Sequence, residues 1–176
     1  MRYFYLFTWL VALAVGVVSC KTSEAQYTPY ISVSPFLRGP KLQNDTIIGC
    51  RDTVKVAYDQ SLGCYQLDTI QVGDTVVFVV GFGSRGNRLL SASIAADTSE
   101  MKFRCAPSED FVKILKDSAS ISKLQFDFTG DHNFASLRVY YTPLKLGTHK
   151  MNFTVRSDSK FSPASLTLMQ NVFEKK

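Results

Sequence analysis

Few side chains in this 176-residue chain could do chemistry, and they are scattered. The thiols are Cys20, Cys50, Cys64 and Cys105, and the imidazoles are His132 and His149. No second His or Cys stands at metal-ligand spacing from either histidine, so no metal site is expected. The histidines read as solvated loop and strand-end residues. A serine nucleophile elbow and an H-E-x-x-H helix are both missing from the sequence. The two carboxylates of a glycosidase are recognised by their separation in space, which spacing along a chain does not give. The expectation is a protein with no catalytic residues and no cofactor.

Gly81-Phe82-Gly83-Ser84-Arg85-Gly86 matches the G-x-G-x-x-G pattern and follows an apolar run. A dinucleotide site would also need a helix opening there and an acidic residue ending the next parallel strand. From Asn87 onward the sequence alternates with period two, so the stretch reads as a flexible loop between strands. Arg85, Asn87 and Arg88 stand on its glycine-rich tip. They form the candidate partner-binding loop, with cations suited to an anionic group or a partner surface.

Cys20 has the most informative surroundings. Arg2 is the only charge before it, residues 3–18 are uncharged and mostly apolar, and Gly16 and Ser19 are small. A positive start, an apolar centre and small residues at the end describe an export signal. The run is shorter than the ~20 residues a membrane-spanning helix needs. Val17-Val18-Ser19-Cys20 resembles the lipobox of bacterial lipoproteins, with an aliphatic residue at −3, a small one at −1 and Cys at +1. The resemblance implies cleavage before Cys20, diacylation of its thiol and acylation of the new amino group. Each buried methylene contributes about 0.8 kcal/mol, so two or three acyl chains hold a protein on a bilayer almost permanently. The expected organisation is a signal peptide over 1–19, lipidated Cys20 with a polar, Pro-containing tether over 20–43, and one domain over 44–176. The expected location is the bacterial envelope, lipid-anchored at the outer membrane on its periplasmic or surface face.

Removing the signal takes away Arg2 and the only Trp, Trp9, and lowers the net charge of +5 by one. The remaining basic residues form no run, whereas nucleic acid demands a concentrated cationic face. Nucleic acid is therefore not an expected partner. Loss of the Trp weakens a sugar-stacking reading, although Tyr and Phe can substitute. An exported protein meets an oxidising compartment, which makes a disulfide worth considering. Three thiols remain once Cys20 is acylated, so one stays free or pairs between chains. Cys50 and Cys64 each follow a glycine and are the favoured pair, at about 3 kcal/mol in the chain-entropy model. Against that pair, a tight hairpin over 53–58 and 64–71 would set Cys64 opposite Tyr58, far from Cys50. Pairings with Cys105 stay open.

The elements that must position these residues are strands. Within the tether, Tyr30-Ile31-Ser32-Val33 alternates briefly and is a candidate edge strand. Residues 53–58 and 64–72 alternate, with a parity shift between Leu67 and Ile70 that suggests a bulge. Residues 75–80 are apolar on both faces and read as a central strand. Strands are also expected over 88–97, 101–104, 124–128, 137–141, 150–156 and 166–170. One short helix is expected near 107–117, opening on Pro107-Ser108-Glu109-Asp110 with its acids at the positive end of the dipole. Short strands at 8–12-residue spacing favour an antiparallel sandwich. The fold class is mainly β.

Leu137-Arg138-Val139-Tyr140-Tyr141-Thr142-Pro143, Leu146-Gly147-Thr148-His149, Met151–Val155 and Ser162–Leu168 resemble the strand–Pro–Gly–strand–Pro–strand ending of bacterial immunoglobulin-like domains. Val72-Gly73-Asp74-Thr75-Val76-Val77-Phe78 is similar to their second strand with its Gly-Asp turn. The resemblance spans roughly residues 70–173. It implies an immunoglobulin-like β-sandwich of adhesive or scaffolding use and carries over no catalytic residue. The core Trp and Cys spacing of antibody-type domains are absent. Asp before Thr and an aliphatic residue recurs at Thr46, Thr53, Thr69 and Thr75, with Ser118 as a variant. This resembles the O-glycosylation acceptor of exported Bacteroidetes proteins. Turn chemistry followed by strand propensity produces the same pattern. The reading that results is a lipid-anchored, non-enzymatic interaction module for a protein or glycan partner. It stands ahead of a structural subunit of an envelope assembly, of adhesin, fimbrial or conjugal-transfer type, and ahead of an envelope hydrolase.

Overall fold

The computed structural model describes residues 26–43 and 46–174. The signal region 1–19, Cys20 and Asp45 lie outside the described residues. The chain forms an immunoglobulin-like sandwich of two six-stranded sheets. In the first sheet, β10 (Met101–Pro107) lies at the edge, then β12 (Phe134–Pro143), then β8 (Val76–Gly83). Beyond β8 come β1 (Tyr30–Val33) and β2 (Leu37–Arg38), with β5 (Asp52–Thr53) outside β2. The second sheet runs β11 (Gln125–Asp127), β9 (Leu89–Ala96), β13 (Gly147–Ser157), β14 (Ala164–Phe173), β7 (Cys64–Gln71) and β6 (Val56–Asp59). A separate hairpin, β3 (Lys41–Gln43) and β4 (Thr46–Gly49), stands off the first sheet. From β7 to β13 the chain changes sheet at every strand. Every pair is antiparallel except β14 with β7, which run parallel.

Sequence pattern explains these places. β8 is apolar on both faces because both of its edges are paired and its outer face carries rings from neighbouring strands. Val76, Phe78, Val80 and Phe82 point into the core together with Leu137, Val139 and Tyr141 of β12 and Met151, Phe153 and Val155 of β13. Phe78 joins the layers, with Phe36 at 4.8 Å on one side and Phe153 edge-on at 6.2 Å on the other. The parity shift between Leu67 and Ile70 is present. Leu67 pairs with Gln170 and Ile70 with Val172, and the register slips between them.

Two expectations are corrected. The tether does not extend to 43, because Ile31 and Val33 pair with Phe82 and Val80 and Phe36 is core, so the proposed boundary at 43/44 falls inside the β3–β4 hairpin. Pro29 and Pro35 end these strands without preventing them. The expected strand over 53–58 is two strands, since Val54 is buried between β5 and β6 as the chain crosses from one sheet to the other. The helix, α1 (Glu109–Lys113), opens where expected but is shorter. Ser108 caps it by accepting from the Phe111 amide at 3.2 Å. Past Lys113 the backbone bonds sideways instead, Lys116 N–H to Asp127 O at 2.8 Å and Thr129 N–H to Ile114 O at 2.7 Å. Phe111 then packs edge-on against Phe126 and Phe128. Among the described residues no helix is long and apolar enough to cross a membrane.

Candidate functional site

The glycine-rich stretch is not a flexible loop. Gly81 to Gly83 complete β8, and the turn is only Ser84 to Arg88. Arg85 and Gly86 take positive φ of 52° and 93° to close it. Fully buried Ser84 pins it: its hydroxyl sits between the carbonyls of Asn87 and Asn133, and its amide donates to Asn133 O at 2.9 Å. Leu89 N–H donates to His132 O at 2.7 Å. The turn is therefore stitched to the neighbouring β11–β12 connection.

Its three candidate residues line one concavity but engage different neighbours. Arg88 turns to Asp158, with its amide donating to Oδ1 at 2.8 Å and its Nε 3.7 Å from Oδ2. Asn87 is buried. Arg85 leans the other way, 5.6 Å from the centroid of the Tyr30 ring. A concavity of about 510 Å³ does lie here, but Arg85 and Arg88 share its lining with Asp131 and Asp158, so it presents both signs of charge.

The coherent surface is the outward face of the first sheet. Alternation along β12 turns Ser136, Arg138, Tyr140 and Thr142 outward while Leu137, Val139 and Tyr141 point inward. Register then sets Lys102 of β10 opposite Thr142, and Arg104 opposite Tyr140. The Arg104 guanidinium lies 4.4 Å above the Tyr140 ring. Thr75 and Thr142 bring their hydroxyls to 3.0 Å. Further along, a Cβ at Gly81 would stand 2.5 Å from Ser32 Oγ and 3.1 Å from the Phe134 ring, and one at Gly83 would overlap the Tyr30 ring. These two glycines let Phe134 and Tyr30 lie across the sheet. None of the outward positions of β1, β8, β10 and β12 carries a carboxylate.

Two adjoining clefts cut this face and share Arg104 and Tyr140. The larger, about 930 Å³, lies between β10 and the β3–β4 hairpin, which contributes Leu42 as a wall. The smaller, about 410 Å³, includes Val79, Ser136 and Arg138. At the end of the larger cleft, buried Asp74 accepts from Arg51 Nη2 at 3.0 Å and from the Gln71 amide at 3.1 Å. Arg38 ties the two sheets there, donating to Thr69 O at 2.7 Å with its Nε 3.3 Å from Asp52. The sequence signal for this surface was the parity opposite to the core: Lys102 and Arg104, then Arg138, Tyr140 and Thr142.

The remaining candidates are dispersed. Cys50, Cys64 and Cys105 are all free thiols, which corrects the Cys50–Cys64 disulfide. Cys64 is buried in β7 opposite Asp59, not Tyr58, with Sγ 3.1 Å from Met169 Sδ, while Cys50 follows β4 on the hairpin arm. Burial pushes the Cys105 thiol up to about 12. His149 is not solvated. It is 1% exposed, with Nδ1 3.2 Å from the Tyr141 hydroxyl. Burial, reinforced by the charge of Glu100, raises the Tyr141 phenol well above its usual range. Thr46, Thr53, Thr69 and Ser118 are exposed, whereas Thr75 lines the larger cleft. Asp68 Oδ1 accepts from the amide of the next residue, Thr69, at 2.7 Å, inside strand β7 and not at a turn. Among the described residues no cluster of three or more His, Cys, Asp or Glu could hold a metal ion.

No family model matches the chain, and no curated protein does. Solved structures do align. The ASH/PapD-like domain of human CEP192 (PapD-like domain 7) matches 78% of this chain and 100% of that one, at 10% identity and a TM-score of 0.39. A family 123 glycoside hydrolase from Clostridium perfringens aligns over 85% of this chain at 12% identity and a TM-score of 0.42, but only 28% of the hydrolase is covered. The collagen-binding domain of a Staphylococcus aureus adhesin aligns over 55% of this chain and 87% of its own, at 12% identity and a TM-score of 0.31.

Proposed function

We propose that the chain is a non-enzymatic binding module, held on the bacterial envelope through acylated Cys20, that engages its partner with the outward face of the β1–β8–β12–β10 sheet. The observation that carries the reading is the composition of that face. Arg104 on Tyr140, Lys102, Arg138, Tyr30 and Phe134 share one side of one sheet with no carboxylate among them. Arg and aromatic residues are the side chains that interfaces concentrate. A structural subunit recruited by strand addition is the second reading. It meets an obstacle in β10, the long free edge of this sheet, because Lys102 and Arg104 there oppose pairing with another strand.

Two measurements test the proposal. Intact mass of the native protein should equal residues 20–176 plus lipid, and a mass without lipid removes the anchor. Cross-linking in the native envelope should join a partner to the wild-type protein and lose it in Arg104→Glu. A partner retained fully by Arg104→Glu places the interface elsewhere.

A further inference from the structure

We infer that the larger cleft beside β10 is a subsite for an acidic glycan, a sugar chain bearing carboxylate or sulfate groups. The inference rests on reading the chain as a binding module and names what this face takes. Three kinds of group meet in the cleft, each suited to one part of such a ligand.

Cations come first. Lys102 and Arg104 stand two residues apart on the same side of β10, and both are exposed. Arg104 is held over Tyr140 at 4.4 Å, so part of the entropy of placing its guanidinium is already lost. Arg presents a planar fork to carboxylate or sulfate oxygens. Among the described residues the only carboxylate in the lining is Asp74, which is buried and engaged by Arg51.

Hydroxyls come second. Thr75 and Thr142, 3.0 Å apart, lie in the same cross-strand row as Lys102, and Thr98 faces the same space. Opposite residues on neighbouring strands sit about 5 Å apart and diagonal ones about 7–8 Å. Hydroxyl donors and acceptors therefore stand one sugar-ring width from the cations.

The third part is apolar. Leu42, 44% exposed on the hairpin arm, walls the cleft with Pro40 and offers a surface to the C–H face of a pyranose ring. At about 930 Å³ the space falls inside the roughly 300–1,000 Å³ of ligand clefts. A neutral glycan would leave the cations unused. An acidic peptide would leave the hydroxyl row without a match, and it would approach an edge strand whose Lys102 and Arg104 resist strand addition.

The test uses the full chain in detergent micelles and four polymers: polygalacturonate, dextran sulfate, neutral dextran and poly-L-glutamate. The expected result is saturable binding of polygalacturonate or dextran sulfate that weakens with salt. It should fall at least tenfold in Lys102→Gln/Arg104→Gln and several-fold in Thr98→Ala. Arg156→Gln, on the outward face of the second sheet, should bind as wild type. Circular dichroism confirms that each variant is folded. The inference is overturned if neutral dextran binds equally well, if poly-L-glutamate binds as tightly with the same variant sensitivity, or if no polymer binds. A cross-linked partner lost in Arg104→Glu, combined with no polymer binding, would leave the binding module standing and remove only its ligand class.

Discussion

Gly83→Ala should destabilise the sandwich through one ring. Ala adds a single methyl to a strand, where alanine is ordinarily worth about 0.5–1 kcal/mol more than glycine in stability. At this position the new Cβ would overlap the Tyr30 ring, so the ring must leave. Tyr30 is 37% exposed, so about three-fifths of a side chain that covers roughly 200 Å² is buried. At about 25 cal/mol per Å², removing that contact costs at most about 3 kcal/mol. Allowing for the alanine gain, the net loss is about 1–2 kcal/mol, a fall of roughly 2–8 °C in Tm for a domain of this size. Thermal and urea unfolding of Gly83→Ala, Tyr30→Ala and the double variant measure it. Once Tyr30 is Ala, the same Gly83→Ala change should be neutral or stabilising, a coupling well beyond the additive limit of about 0.5 kcal/mol. An equal cost in both backgrounds would refute the reasoning. It would show that the backbone, not the ring, excludes a side chain, and that β1 does not pack through Tyr30.

Other consequences follow from the same geometry. Cys105 should resist iodoacetamide at pH 8 in the folded protein, since burial lifts its thiol to about 12, and react readily in urea; modification under native conditions, read by mass, would contradict this. Asp74→Ala should cost about 1–3 kcal/mol by leaving the part-buried Gln71 amide without its acceptor, as urea unfolding reports. Asp59 is held below its usual 3.8 by the Ser61 hydroxyl first and the Leu62 amide second. A carboxyl depressed by folding gives stability that is present above its unfolded pKa and lost as pH falls through the folded one. Asp59→Asn should therefore flatten the loss of stability below about pH 4, measured as Tm against pH, and an unchanged acid slope would contradict the assignment.

The strands were legible because burial writes itself as period two in β13 and the first half of β12, and as an unbroken apolar run in β8, which is covered on both faces. The short strands of residues 30–43 are hidden in the sequence by Pro29, Pro35, Gly39 and Pro40. Tyr30 to Val33 spans four residues, and its pairing with β8 depends on Gly81 and Gly83, some fifty positions away. No local pattern contains that dependence. The burial of His149 is equally invisible to a local pattern centred on the residue itself. His149 begins an alternating run whose odd positions, Met151, Phe153 and Val155, are all core, and extending that parity back by one step would have buried it.

The same parity also separates the two candidate sites. Arg85 and Arg88 attract notice because a glycine motif surrounds them, yet a turn sends neighbouring side chains in different directions, and one arginine goes to Asp158 while the other goes to Tyr30. A strand does the opposite: residues two apart on it share a face, and residues opposite each other on its neighbour share that face too. Lys102 and Arg104 on β10, and Tyr140 and Thr142 on β12, are unremarkable in the sequence taken one at a time. Pairing turns the two alternating runs into a two-by-two array, Lys102 against Thr142 and Arg104 against Tyr140, fixed by the backbone hydrogen bonds of the sheet. Under the proposed binding function, that array is the better guide. It places cations, hydroxyls and a ring at set spacings on a rigid element, whereas the two arginines of the glycine turn share their concavity with Asp131 and Asp158.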